Sequence, residues 1–274
     1  MGAKPWRVLR YEKQTFEISD QHVVEETPLT LRVNGQDVLT LLTAGEHPLE
    51  LALGFLRSEG FFSSREEVIA WREEPGMVHV DVLQDVTAIR RLLEKRTVTT
   101  GCGKGSTFYS ALDALRCRPV TSEVRFSPRA LLRQMAELQK RSGLYRETGG
   151  THNASLSDGE RTLCFRTDIG RHNAVDMIGG WAFLNGHDLS DRMLLTTGRV
   201  SSEILVKAVK MGVPVLASRS APTALALELA DQVRVTVIGY IRGGRFNVYT
   251  CPERISGAVR EEPQSGGEYG RQGA

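Results

Sequence analysis

The sequence predicts a layered α/β domain preceded by a smaller α+β unit, and three patterns carry that expectation. Beyond residue 127, short apolar runs of strand length alternate with stretches of helical period, joined by short links. The last two runs, Val233 to Ile241 and Phe246 to Thr250, flank Arg242-Gly243-Gly244-Arg245 and close the domain with an antiparallel hairpin. Ahead of residue 100, two-residue alternation dominates and the helical period appears only briefly.

In chain order, residues 1–26 alternate weakly and are expected to form one edge strand. Thr27 to Val33 alternates as a strand, Asn34-Gly35 supplies a tight turn, and Val38 to Leu42 returns as its partner. Pro48 starts a helix through Leu51, Phe55 and Leu56, with Gly60 as its stop. Glu66 to Trp71 reads as a helical turn, Met77 to Leu83 as a strand, and Asp85 to Lys95 as a helix leading into a glycine-rich loop. Ser127-Pro128 caps and opens a helix with Leu131, Leu132, Met135 and Leu138 on one face, ended by Gly143. A hairpin turns at Ser157-Asp158-Gly159, and a helix follows Thr167-Asp168-Ile169-Gly170, burying Ala174, Val175, Ile178, Trp181 and Ala182. Met193 to Thr196 is a strand, Ser201 or Ser202 caps a helix running to Gly212, Val213 to Ala217 is a buried strand, and Pro222 starts the last helix. The expected division is a unit over 1–100 and a domain over 101–255, with the loop and its linker at 100–125. Residues 256–274, poor in apolar side chains, are expected to form a disordered tail.

Lys and Arg exceed Asp and Glu by 35 − 33 = 2, which argues against a broad nucleic-acid or membrane footprint. No apolar run approaches the roughly 18 residues of a membrane span, and Met1 to Arg7 is not followed by an apolar signal region, so a cytoplasmic protein is expected. The four cysteines, Cys102, Cys117, Cys164 and Cys251, show no zinc-ligand spacing, so no metal site is expected and the thiols fit a reducing compartment. Cys164, between Leu163 and Phe165, reads as a small buried hydrophobe. A phosphate-binding P-loop is absent because Lys104 precedes a glycine and Val98 stands where that motif needs another; G-x-S-x-G and the zinc-deaminase strings are absent too.

Thr97-Val98-Thr99-Thr100-Gly101-Cys102-Gly103-Lys104-Gly105-Ser106-Thr107 is the stretch with the most chemistry in it. A thiol between glycines can be presented outside the fold, and Lys104 or nearby N–H groups favour the nucleophilic thiolate. At the edges of the α/β domain stand His152, the run Arg171-His172-Asn173, and Thr196 to Ser202, all on loops suited to anions. Tyr240-Ile241-Arg242-Gly243-Gly244-Arg245 pairs two arginines with permissive glycines, a pattern that suits a phosphate or pyrophosphate.

These strings, taken in order over roughly residues 20–255, resemble the formate dehydrogenase accessory sulfurtransferases, the FdhD family. The matching pieces are the helix ending in Ser58-Glu59-Gly60, the Thr100-Gly101-Cys102-Gly103 loop, Thr148-Gly149-Gly150 with His152, and Asp168 to Asp176. Ser201-Ser202-Glu203 and Gly244 to Thr250 complete the set. The resemblance implies a homodimer whose main domain is cytidine-deaminase-like without the zinc ligands. It implies that Cys102 accepts sulfur as a persulfide from a cysteine desulfurase. The sulfur would pass to the molybdenum cofactor, a bis(molybdopterin guanine dinucleotide), before the cofactor enters formate dehydrogenase. Tyr240, Ile241, Arg242, Gly243, Gly244 and Arg245 match the family's cofactor-binding stretch. One departure stands out: many members carry C-x-x-C, and here the second position is Gly105, so no resolving thiol sits in the loop. That leaves a second reading, a non-catalytic chaperone that binds and delivers the cofactor. A nucleoside-modifying enzyme is a third, weakened by the missing metal strings.

Overall fold

The computed structural model describes residues 2–85 and 119–258. The expected helix after Asp85, the cysteine loop with Cys102, Cys117, and the tail beyond Ala258 lie outside the described residues.

The chain opens with a two-stranded arm, β1 (Ala3–Glu12) paired antiparallel with β2 (Thr15–Val24). This replaces the expected single edge strand. Its turn is made by Lys13 and Gln14, both at positive φ, where none of the usual asparagine or glycine turn signals occur. Next, β3 (Thr27–Val33) and β4 (Gln36–Thr43) pair around the expected Asn34-Gly35 turn, and α1 (Pro48–Glu59) runs between Pro48 and the left-handed Gly60. The segment read as a helical turn at Glu66 to Trp71 is instead a strand, β5 (Val68–Glu74), paired with β6 (Met77–Val82). Its glutamates favour a helix locally, but the Pro75-Gly76 turn and the available edge of β6 decide the outcome. The sheet order is β4-β3-β6-β5, and α1 buries Leu51, Leu53 and Leu56 against Leu31, Val78 and Val80.

The second sheet has six strands in the order β12-β11-β10-β9-β7-β8, where β7 is His152–Ser157, β8 Thr162–Asp168, β9 Met193–Thr196, β10 Val215–Ser218, β11 Thr236–Arg242 and β12 Arg245–Val248. β9, β10 and β11 run parallel, while β7, β8 and β12 are antiparallel to their neighbours. Helices α4 (Arg171–Leu184), α5 (Ser202–Met211) and α6 (Ala224–Gln232) cover one face through Ile178, Leu205 and Leu229. Helix α2 (Pro128–Arg141) covers the other face with Leu131, Met135 and Leu138, and the short α3 (Gly143–Thr148) follows it. Side-chain acceptors supply the expected N-caps: Ser127 accepts from the Ala130 amide and Ser201 from the Ile204 amide. Gly143 starts α3 rather than ending α2, whose own cap is Ser142; Thr223 caps α6 one residue beyond Pro222. At the end of the described residues, the Ser256 amide donates to the Phe126 carbonyl at 3.0 Å. Mixed α/β architecture is therefore correct for this chain.

The two sheets share α4. Its Met177 and Phe183 pack with the core of the first sheet, and α1 crosses it so closely that Gly54 touches the Asp176 carbonyl and Gly180 touches the Glu50 carbonyl.

Candidate functional site

The parallel strands end on one edge of the six-stranded sheet, and the loops there hold most of the residues the sequence marks for chemistry. His152 begins β7, and the Asn153 amide donates to Thr197 Oγ1 while the Thr197 amide donates to the Asn153 carbonyl, both at 3.0 Å. These two bonds fix the loop after β9 beside the start of β7. Gly198 follows, and a Cβ there would meet the Arg171 side chain at 2.9 Å, so glycine lets the loop lie against the N-terminus of α4. Ser218 Oγ donates to the Gly198 carbonyl at 2.6 Å, and the Tyr240 amide donates to the Ser220 carbonyl at 3.1 Å. One continuous backbone track thus links β7, the β9 and β10 loops, and the last hairpin.

On the α4 side of this track the groups are basic. The His152 imidazole is held below 6.5, first by burial, then by the Arg171 charge, then by His172. His172 Nε2 lies 3.0 Å from Glu203 Oε2, and that hydrogen bond holds the Glu203 carboxyl below its ordinary 4.5. The remaining polar members of Asp168 to Asp176 serve the fold. Asp168 accepts from the Ala44 and Gly170 amides and from Asn173 Nδ2, each at 2.8 Å. Asn173 also donates to the Leu42 carbonyl. Asp176 pairs with the buried Lys207 at 2.7 Å.

The last hairpin is a two-residue turn, with Gly243 at φ +59 and Gly244 at φ +75. Nothing lies within 4 Å of a Cβ at either position, so φ rather than crowding calls for glycine. Arg242 and Arg245 face each other across the turn, and Arg242 lies over the Tyr240 ring at 5.2 Å. Ile241 points the other way, into the core beside Ile238. Tyr240 and the arginines are exposed, so five of the six residues present backbone or side chain outward and Ile241 anchors them. The proposed sulfur-bearing Cys102 lies outside the described residues. Of the cysteines described, Cys164 is buried, with its thiol pushed up to about 12, and burial also raises that of Cys251.

Sequence reasoning passed over one feature of this edge. Thr151, Asn153 and Ser155 are buried, and Thr151 Oγ1, both amide atoms of Asn153 and Ser155 Oγ find no hydrogen-bond partner. Polar residues at alternate positions of a strand and just ahead of it look like a solvent-facing row, which is why only His152 drew notice.

The FdhD/NarQ family model matches residues 24–256. The chain belongs to that family. Among its FdhD relatives, the sulfur carrier protein FdhD of Bacillus subtilis (strain 168) is 42% identical over 250 residues, covering 90% of this chain and 95% of that protein. The sulfur carrier protein FdhD of Staphylococcus aureus (strain MRSA252) is 41% identical, covering 90% and 94%. A solved structure from Desulfotalea psychrophila, described as a formate dehydrogenase accessory protein, shares the fold with a TM-score of 0.78 at 24% identity, over 93% of this chain and all of that one. The FdhD match starts at residue 24, so β1 and nearly all of β2 lie outside it.

Proposed function

We propose that this chain is a sulfur carrier serving formate dehydrogenase, with Cys102 holding the sulfur in transit. The family match over residues 24–256, with relatives named sulfur carrier protein at about two-fifths identity, carries this reading. The Cys102 thiolate attacks the outer sulfur of a persulfide on a cysteine desulfurase. A new S–S bond forms, the donor cysteine leaves as its thiolate, and no external oxidant is needed. The sulfur would then pass to the molybdenum cofactor, bis(molybdopterin guanine dinucleotide), before that cofactor enters the dehydrogenase: the S–S bond breaks, Cys102 leaves as its thiolate, and the reduced metal supplies the two electrons that take the sulfur to sulfide. The protein acts in the cytoplasm as a homodimer, and among its described residues no helix is long and apolar enough to cross a membrane.

Several features of this chain fit that role. Cys164 and Cys251 are buried with raised thiol pKa values, which leaves the transfer to a cysteine elsewhere. Like charges placed opposite each other are unfavourable, so Arg242 and Arg245 gain from an anion lying over their turn. Tyr240 to Arg245 is the stretch we assign to the cofactor's phosphates. The hairpin β7–β8 beside three parallel strands, with three helices on one face and α2 on the other, supports a cytidine-deaminase-like description of a main domain following a smaller unit that ends near residue 100.

The second reading, a delivery chaperone without sulfur transfer, draws on Gly105 in place of a second loop cysteine. Incubation with a desulfurase and cysteine, followed by peptide mass spectrometry, separates the two. The carrier gains about 32 Da on Cys102, one sulfur atom, and Cys102→Ala neither gains it nor activates formate dehydrogenase. An unmodified Cys102, or a fully active Cys102→Ala, leaves only the chaperone.

A further inference from the structure

We infer that the outer half of the β1–β2 arm is an interface with a second copy of this chain, the two arms stacking face on face about a two-fold axis. The inference rests on the homodimer reading above and names the surface that would make it. In the antiparallel register, directly opposed residues share a face. One face therefore carries Arg7 with Asp20, Leu9 with Ile18, and Tyr11 with Phe16. Leu9, Ile18, Tyr11 and Phe16 adjoin, the two rings 4.9 Å apart, and they are 64%, 72%, 61% and 67% exposed. A face of this composition is ordinarily covered. Between Arg7 and Asp20, only Val8 and Ser19, a pair on the other face, are half-buried.

The base of the arm is held by the body. The Glu25 amide donates to the Gly2 carbonyl at 2.7 Å, and His22 lies 3.2 Å from Glu147 on α3. Val24 sits so close to Gly150 that a Cβ there would meet it at 2.7 Å. Farther out, the polar contacts stay inside the arm: Arg7 with Asp20 at 3.8 Å, and the Thr15 hydroxyl donating to the Glu12 carbonyl at 3.0 Å. A two-stranded sheet with nothing packed on it is marginal in water, so the patch needs cover for as long as the arm is folded. A copy of the chain meets that need better than a partner that comes and goes. The edges of the arm are poorer docking lines than its face, since Pro5 and the charges of Lys4, Arg7, Arg10 and Glu17 discourage strand addition.

Size and charge agree with a second copy. The four apolar side chains leave about 500 Å² open, so a stacked pair buries about 1,000 Å², where specific interfaces begin. β1 brings Arg7 and Arg10, while β2 brings Glu17 and Asp20. A two-fold axis running along the arms, with their tips together, lays β1 of one copy over β2 of the other. Leu9 then meets Ile18, Tyr11 meets Phe16, and Arg7 meets Asp20, each contact made twice. Arg7 and Asp20, 78% and 68% exposed and loosely paired within one arm, each gain a counter-charge from the other copy.

Sedimentation equilibrium of the full chain tests this. The native protein should be a dimer, and Phe16→Asp or Ile18→Asp should weaken it about a hundred-fold or more. Arg7→Asp and Asp20→Arg should each weaken it about ten-fold or more, because each sets like charges opposite one another. Mixing those two variants should restore a one-to-one heterodimer, since every rim contact then joins opposite charges. A hairpin lost through misfolding would not be repaired by mixing, so the mixture separates a broken contact from a broken fold. A native chain that stays monomeric overturns the arm interface and the homodimer together, and leaves the patch to a different protein. A dimer that all four variants hold at full strength keeps the homodimer and overturns the arm. A mixture that stays monomeric overturns the face-on-face pairing. Persulfide formation on Cys102 in these same proteins reports on the carrier reading separately.

Discussion

His152 is partly buried within reach of the charges of Arg171 and His172, and this bears on how the protein answers to acid. Its imidazole is depressed below 6.5 by burial, by Arg171 and by His172. As pH falls, the unfolded chain takes up this proton before the folded one does. The stability linked to His152 is therefore present above 6.5 and lost below it. Glu203 acts in the same direction over a lower range, since its carboxyl is held below 4.5 by His172 and its contribution disappears as pH falls through that depressed value. The melting temperature should drop as pH is lowered from about 7 to about 5, and His152→Gln should flatten the upper part of that drop. The imidazole C–H signal of His152 should titrate with a midpoint below 6.5, and a midpoint at or above it would contradict the arrangement described. His152 and His172 could be picked out from the sequence because their glycine-rich neighbours announce loop ends. Asn153 could not, because whether a strand's polar row meets water or protein is decided by α2, which is not part of that strand's pattern.

At the scale of elements, the contact of α1 with α4 depends on two glycines that a helix pattern alone does not explain. A Cβ on Gly54 would stand 1.8 Å from the Asp176 carbonyl oxygen, and one on Gly180 would stand 1.8 Å from that of Glu50. In each case the obstacle is backbone, which cannot swing aside as a side chain can. Gly54→Ala and Gly180→Ala should each cost about 3 kcal/mol or more, although alanine is the better helix former, and denaturant melts would measure the loss. A neutral or stabilising alanine would mean that the helices do not cross at this distance. The strands and helices of the second sheet were readable because caps, turns and apolar period agree there. Where local and tertiary preferences part, the reading fails, as at β5 with its glutamates and at the arm with its Lys13-Gln14 turn.

At the scale of the whole molecule, the bonds between the two sheets are polar and buried, and they bear on whether the chain unfolds in one step. Glu50 on α1 receives both prongs of Arg166 from β8, one at 2.6 Å. Asp168 at the end of β8 takes the Ala44 amide that follows β4, and Asn173 on α4 reaches the Leu42 carbonyl. Lys207 on α5 spans from Asp176 to Ser58 Oγ on α1 at 2.7 Å. Opening either sheet alone would leave several of these charges and amides buried without partners, which costs more than opening both together. Tryptophan reporters lie on both sides, Trp71 on β5 and Trp181 on α4. In urea, fluorescence from Trp71 alone, from Trp181 alone, and far-ultraviolet dichroism should give one shared midpoint. Asp168→Ala strands three donors at once and should lower that midpoint by the equivalent of about 2–4 kcal/mol while the probes stay coincident. If the Trp71 transition precedes that of Trp181 in the unaltered chain, the sheets are separable, and the shared α4 does not bind them into one cooperative body.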